Sequence, residues 1–332
     1  MNTHIMKLRF WAILAVIMIH STAPFLYKPI GNEFLAGNVL DSLSRFAVPL
    51  FLLISGALLL HKDEPLSVFL KKRAAKIIIP FLVWSFIYYL YKRNILFTLD
   101  FEKFYIRDFL KLFITGNVYY HLWYIYLIVF VYLFIPVLRK VVQNTPTNIL
   151  LYYVILSFIL ENGYLIGTSY LHISPKIYFS GFSGYVSYLI LGYLIFHRDL
   201  FLNKRGMIYT LGILSLIVTF TGTYLSSLSF GRYHPYFYKY LSFNVLIYTI
   251  FIVVLISHTN KNIFKITRSI SEVSFTMYFV HIIFSKYFQQ YLNAFDLQPS
   301  LYIIALFGLT VIASYLFSLL ISKIPIVRKV LS

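Results

Sequence analysis

The chain has 332 residues, 60% of them hydrophobic and only 12% charged, with a net charge of +18. Soluble domains carry about 25% charged residues, so this chain lacks the charge to cover a water-facing globule. Its basicity therefore reads as membrane topology and attraction to anionic lipid headgroups, not as nucleic-acid binding.

Cysteine is absent. Disulfides, thiolate nucleophiles and cysteine-based metal sites are thereby excluded, while the compartment stays open. Apolar runs long enough to cross a bilayer recur along the chain. They predict ten spans, at residues 10–27, 41–60, 76–91, 119–138, 148–168, 182–196, 207–228, 240–257, 274–291 and 300–322. The sixth is short and interrupted by glycine. No repeat of fixed period and no low-complexity segment accompanies them. The first run follows Lys7 and Arg9 and ends in Ser21-Thr22-Ala23, like a secretory signal. His20 inside it and Pro24 after it favour an uncleaved first span instead.

Positive residues orient the spans. With the N-terminus in the cytoplasm, most of the 29 Lys and Arg residues fall on that side. They are Lys7 and Arg9, the run Lys62 to Lys76, Arg139 and Lys140, Arg198 to Arg205, Lys261 to Arg268, and Lys323 to Lys329. The outer side has fewer, Lys176 among them. Five lie in one longer loop from Lys92 to Tyr119, balanced by Asp100, Glu102 and Asp108. The reading is an all-α polytopic bundle of about ten transmembrane helices, both termini cytoplasmic, forming one domain over residues 1–332. No cytoplasmic loop is long enough for a nucleotide-binding domain. GxxxxGK[ST], HExxH and GxSxG are absent, against an ATP-driven pump and a zinc protease.

Polar groups inside the apolar runs are the functional candidates. Arg9 and His20 stand eleven positions apart, roughly three helical turns and about 16 Å, so a helix puts both on nearly one face. Spacing alone leaves two readings: a topology anchor with a packing histidine, or a functional pair. Arg45 lies about one turn into the second span, in Ser44-Arg45-Phe46-Ala47-Val48-Pro49. Pro49 there is expected to free a carbonyl in mid-helix. Ser55 and Gly56 follow, suited to close helix approach. Arg73 and Lys76, at i and i+3 before Pro80, are expected to face one way, as an anchor or as a phosphate clamp. His121, Trp123 and Tyr124 open the fourth span, where Trp and Tyr also form interfacial belts. Glu161 in the fifth span calls for a partner, and His281 lies near the middle of the ninth.

Taken together, these residues resemble the acyltransferase 3 family of integral-membrane O-acyltransferases. The resemblance rests on Arg9-x10-His20, Ser44-Arg45-Phe46 through Ser55-Gly56, Arg73-x-x-Lys76 before Pro80, His121-Leu122-Trp123-Tyr124, and Ser274 through Tyr278 to His281. Many members have Arg where this chain has Lys76, which keeps charge but loses bidentate phosphate binding. The chain is similar to members without a fused esterase-like domain.

The resemblance implies transfer of an acyl group, usually acetyl, from cytoplasmic acyl-coenzyme A to a hydroxyl of a surface or lipid-linked glycan. It places the protein in a bacterial inner membrane, with membrane lipids and glycan-assembly proteins as partners and no metal. Arg9, Arg73 and Lys76 would then hold the coenzyme A phosphates. His20 would act as general base or transient acyl carrier, and Arg45 would stabilise the oxyanion. His121, Trp123, Tyr124, Glu161, His281 and Ser55 would meet the acceptor. A transporter or flippase of a lipid-linked glycan, or a glycan polymerase or ligase, would share the spans and basic loops. The transporter does not need Arg9 and His20 on one face, and the polymerase or ligase would be expected to carry a larger outer loop, with essential arginines, than the one from Lys92 to Tyr119.

Overall fold

The computed structural model describes residues 3–173, 182–260 and 262–324. Of the predicted topology residues, Lys176, Lys261, Arg328 and Lys329 lie outside these. The chain is 81% helical, and no strand occurs among the described residues. Among the described residues, eight helices are long and apolar enough to cross a membrane. The other two predicted spans are helical but fall short of that standard. One has 16 residues, and the other has 28 but carries many polar ones.

Two compact units divide the chain. The first takes residues 1–62 and 138–315, the second 63–137 and 316–332.

In the first unit, α1 (Thr3–Leu26) packs against α2 (Asn32–Ser44), α3 (Ala47–Leu59), α12 (Phe243–Ser257) and α13 (Lys265–Leu292). Its sequence is apolar around most of its circumference, which is what a helix enclosed on several sides needs. Ile13 and Ile17 are fully enclosed. α11 (Arg205–Phe230) lies against α12 and α2, and α10 (Phe182–His197) against α3 and α9 (Thr147–Ser169).

The crossing of α3 and α10 is close because both helices offer glycine. A Cβ on Gly56 would stand 1.9 Å from the Leu189 carbonyl oxygen, and one on Gly192 would stand 1.9 Å from that of Leu53. The small residues that weaken the sixth span as a sequence signal are thus what lets it pack.

In the second unit, α4 (Leu66–Arg73) passes through a π-helical turn at Ala74–Ile78 into α5 (Ile79–Lys92). The stretch read as one outer loop folds into α6 (Ile95–Thr98), a 3-10 turn at Phe101–Lys103, and α7 (Ile106–Ile114). Its apolar residues recur at helical spacing and seat on α5, Phe109 against Tyr89 at 5.4 Å and Phe113 against Phe81 at 5.3 Å. Arg93 and Lys103 pair with Asp108 and Asp100, so the acids that balance this stretch also tie it down. α8 (Trp123–Asn144) belongs to this unit up to residue 137, and α14 (Pro299–Lys323) only from residue 316.

Gly56→Ala or Gly192→Ala forces backbone against backbone. Each is expected to cost about 1–3 kcal/mol, visible as a lower Tm of the detergent-solubilised protein. Gly163→Ala, where a Cβ meets nothing within 4 Å, is the control that leaves Tm unchanged.

Candidate active site around His20

α1 is continuous from Thr3 to Leu26, so Arg9 and His20 do share one helix face. The N-terminal end of this helix is held by the segment after α12. Lys7 Nζ donates to Thr259 Oγ1 at 3.1 Å and to the Asn260 carbonyl, and His4 Nδ1 donates to the Ile256 carbonyl at 3.1 Å. Arg9 and His20 are both half-buried. Pro24 lies four residues after His20 and has no N–H to give the His20 carbonyl.

Arg45 sits in a break rather than inside a helix. α2 ends at Ser44 and α3 starts at Ala47. The cause is local: Pro49 cannot donate to the Arg45 carbonyl, and its ring crowds that oxygen. The chain restarts with Pro49 in the first turn of α3, where a missing N–H costs nothing. The proline expected in mid-helix is therefore a helix starter, and the second span is two helices.

The break turns Arg45 into an enclosed polar cluster. Its Nη2 donates to Asp41 Oδ2, and the Asp41 side chain is fully enclosed. The guanidinium lies over the Tyr238 ring at 4.1 Å and near that of Tyr240 at 6.0 Å. The Tyr238 hydroxyl donates to Asn38, and Ser42 Oγ stands 3.0 Å from it. Asn38 Nδ2 donates to the Phe220 carbonyl at 3.1 Å. One network thus ties α2, α11 and the segment before α12 to the guanidinium.

α13 supplies the second imidazole. The rings of His20 and His281 are 5.1 Å apart, tilted by 43°. His281 is fully buried. Its Nδ1 stands 2.6 Å from the Tyr278 carbonyl. A carbonyl only accepts, so Nδ1 carries the hydrogen and Nε2 is the basic nitrogen of the neutral ring. Arg45 and Lys286 are cations whose charge acts on His20.

Other predicted residues have separate surroundings. Glu161 on α9 is buried and accepts from Ser183 Oγ at 3.3 Å. Its neighbour Asn162 donates to the Leu241 carbonyl at 2.9 Å. Ser55 Oγ donates to the Phe51 carbonyl at 2.9 Å within its own helix.

Five predicted residues belong to the second unit. Arg73 is half-buried, with its guanidinium 5.5 Å from the Phe69 ring and 6.0 Å from that of Tyr132. Its Nε is enclosed with no hydrogen-bond partner. Lys76 is exposed. The two do not face one way, because the intervening turn is π-helical and holds more residues than an α-helical one. His121 is buried among Tyr88 at 4.7 Å, Tyr119 at 5.7 Å and Tyr120 at 5.9 Å. Trp123 is exposed and Tyr124 buried. Burial pushes the Tyr119 hydroxyl up to about 12, so at neutral pH it donates.

Sequence reasoning missed Asp41, Asn38, Tyr238, Tyr240 and Lys286. Asp41 had a signal, its spacing of four from Arg45 on a helix. Tyr238 and Tyr240 had none, since they reach Arg45 across nearly two hundred residues. Among the described residues no three or more His, Asp or Glu gather as a metal site would require.

Fold and site together define a polytopic helical membrane protein with an enclosed histidine–arginine centre. The chain belongs to the acyltransferase 3 family: the family model described as an acyltransferase domain matches residues 7–319. No curated protein and no solved structure matches the chain significantly.

Removing one member of a buried ion pair strands the other. Asp41→Ala is expected to cost about 3–5 kcal/mol, read as a large fall in Tm, and adding Arg45→Met is expected to recover most of it.

The segment between α11 and α12 that carries Tyr238 answers to pH through His234. His234 Nε2 donates to the Ser169 carbonyl at 3.2 Å, and the ring stacks on Phe230 at 4.1 Å. Burial first, with Arg232 and Lys239 adding, holds this histidine below its ordinary value. Its folded pKa lies under the unfolded one, so its contribution to stability is complete above about pH 6.5 and falls away on acidification. Hydrogen exchange at residues 231–239, corrected for intrinsic rates, is expected to quicken from pH 7.5 to pH 5. In His234→Gln that pH dependence is lost.

Proposed function

We propose that the protein is an O-acyltransferase of a bacterial inner membrane. It moves an acyl group, acetyl by preference, from cytoplasmic acyl-coenzyme A to a hydroxyl of a lipid-linked or cell-surface glycan. The observation that carries this reading is the approach of the His20 and His281 rings, 5.1 Å apart, from α1 and α13, with the enclosed Arg45 of the α2–α3 break as the cation of the same unit. Membership of an acyltransferase family supports the class of reaction.

The chemistry follows from the side chains. His20 is half-buried and so stays reachable by a substrate. As general base it takes the proton of the acceptor hydroxyl while that oxygen attacks the thioester carbonyl. Negative charge develops on the carbonyl oxygen, and Arg45, held in place by Asp41 and Tyr238, is the cation suited to it. The carbon–sulfur bond breaks, and the thiolate takes the proton back from His20. The products are the glycan ester and free coenzyme A. His281 bears on the orientation of His20 and, with Glu161 and Ser55, belongs on the acceptor side.

The donor needs cations for its phosphates. Arg73 fits that need, with an enclosed Nε lacking a partner and a guanidinium flanked by two rings. Lys76, in the same unit, is assigned to the phosphates with it, and Arg9 is the candidate donor-side cation of the first unit. His121, Trp123 and Tyr124 are assigned to the sugar, where an exposed Trp can stack on an apolar ring face. Glycan-assembly proteins are the partners this activity calls for.

The test is label transfer from radiolabelled acetyl-coenzyme A to glycan by the purified protein. His20→Ala is expected to lower kcat by about 100-fold or more, and Arg45→Met by a similar factor, with donor binding retained. Transfer at the normal rate by His20→Ala would overturn the mechanism. Failure of the wild type to bind acyl-coenzyme A would favour a glycan transporter.

A further inference from the structure

We infer that Tyr27 and Tyr233 form the platform on which the acceptor's sugar ring stacks before its hydroxyl reaches Arg45 and His20. This rests on the acyltransferase reading and gives its acceptor a place in the first unit.

Exposure falls along a series of neighbouring aromatic rings. Tyr27, after the end of α1, is 78% exposed. Its ring meets that of Tyr233 edge-on at 5.3 Å. Tyr233 is half-buried and packs on the small core of Leu26, Phe34 and Tyr238, with its ring 6.1 Å from that of Tyr238. Tyr238 is buried and lies under the Arg45 guanidinium at 4.1 Å. Three tyrosines in contact thus lead from solvent to the Arg45 guanidinium.

A tyrosine that only anchors a span at the membrane interface has no need of this connection. The series instead suits a ligand with apolar faces and hydroxyl edges, which describes a sugar ring. Tyr27 is too exposed to be part of the core, and its ring stands against Tyr233 at the open end of the series. Tyr233 adds a hydroxyl at the inner edge. Burial pushes it above its ordinary value, so it remains a neutral donor.

Tyr27 is also open to clean substitution, since an exposed side chain can be changed without disturbing the fold. The probe is the surface polysaccharide of the cell that makes the protein, stripped of its esters with mild alkali. Its affinity for the detergent-solubilised protein is measured without donor, and its transfer kinetics with radiolabelled acetyl-coenzyme A. Tyr27→Ala and Tyr233→Ala are expected to weaken binding and raise the acceptor KM by about tenfold, with kcat and donor binding within about twofold of wild type. Tyr27→Phe, which keeps the ring, is expected to behave as wild type. Unchanged polysaccharide affinity and KM in both alanine variants would overturn the platform while leaving the transferase reading intact. A wild type that binds the polysaccharide in a Tyr27-dependent way but transfers no label would support the platform and sink the transferase reading.

Discussion

A cation buried in an apolar bundle has to be answered, and the fold of the first unit is organised around answering Arg45. Taking a guanidinium out of water is costly unless a carboxylate and further polar groups meet it. Asp41 provides the charge from one turn earlier on α2. Tyr238 provides a ring face, and through its hydroxyl brings in Asn38 and Ser42. These partners come from segments far apart in the chain. The requirement for all of them at once fixes how α2, α11 and the approach to α12 come together.

The same economy appears in the backbone. His20 and Arg45 are each followed, four residues later, by a proline. At Arg45 the consequence is a break that swings the side chain into the polar cluster. At His20 the proline falls in the last turn of α1, where the helix is about to end. A helix interior would normally bind both carbonyls to N–H groups. Releasing them makes the backbone beside each candidate residue more polar and less regular, which an active centre tolerates better than a plain membrane span does. The neighbouring crossing of α3 and α10 is tightened by Gly56 and Gly192, so the helix that begins at the break is firmly seated.

Much of this was legible in the order of residues. Apolar runs marked the ten predicted spans, of which eight are helices long and apolar enough to cross a membrane among the described residues, because a helix in lipid must be apolar over a set distance whatever its neighbours are. Arg9 and His20 were legible as one face, because α1 is regular and the spacing of eleven is a near-integral number of turns. Arg73 and Lys76 were misread as a matched pair, because a π-helical turn inserts itself between them and shifts the phase. Pro49 was misplaced because a proline in a long apolar run looks the same whether it interrupts one helix or begins another. The stretch after α5 looked like a loop because charged residues break its apolar ones into runs too short to span a bilayer, and their seating on α5 makes short helices of them.

The sequence by itself determined a helical membrane protein, its family, and the residues His20, Arg45 and His281 as a set worth placing. Those follow from local composition and from motifs whose members are close in the chain. What only the tertiary structure decided is which partners complete the set. His281 reaches His20 from the far end of the chain, and Tyr238 reaches Arg45 across α3 to α11. Side-chain contact between distant helices depends on crossing angle and rotation, and neither is written in any single helix.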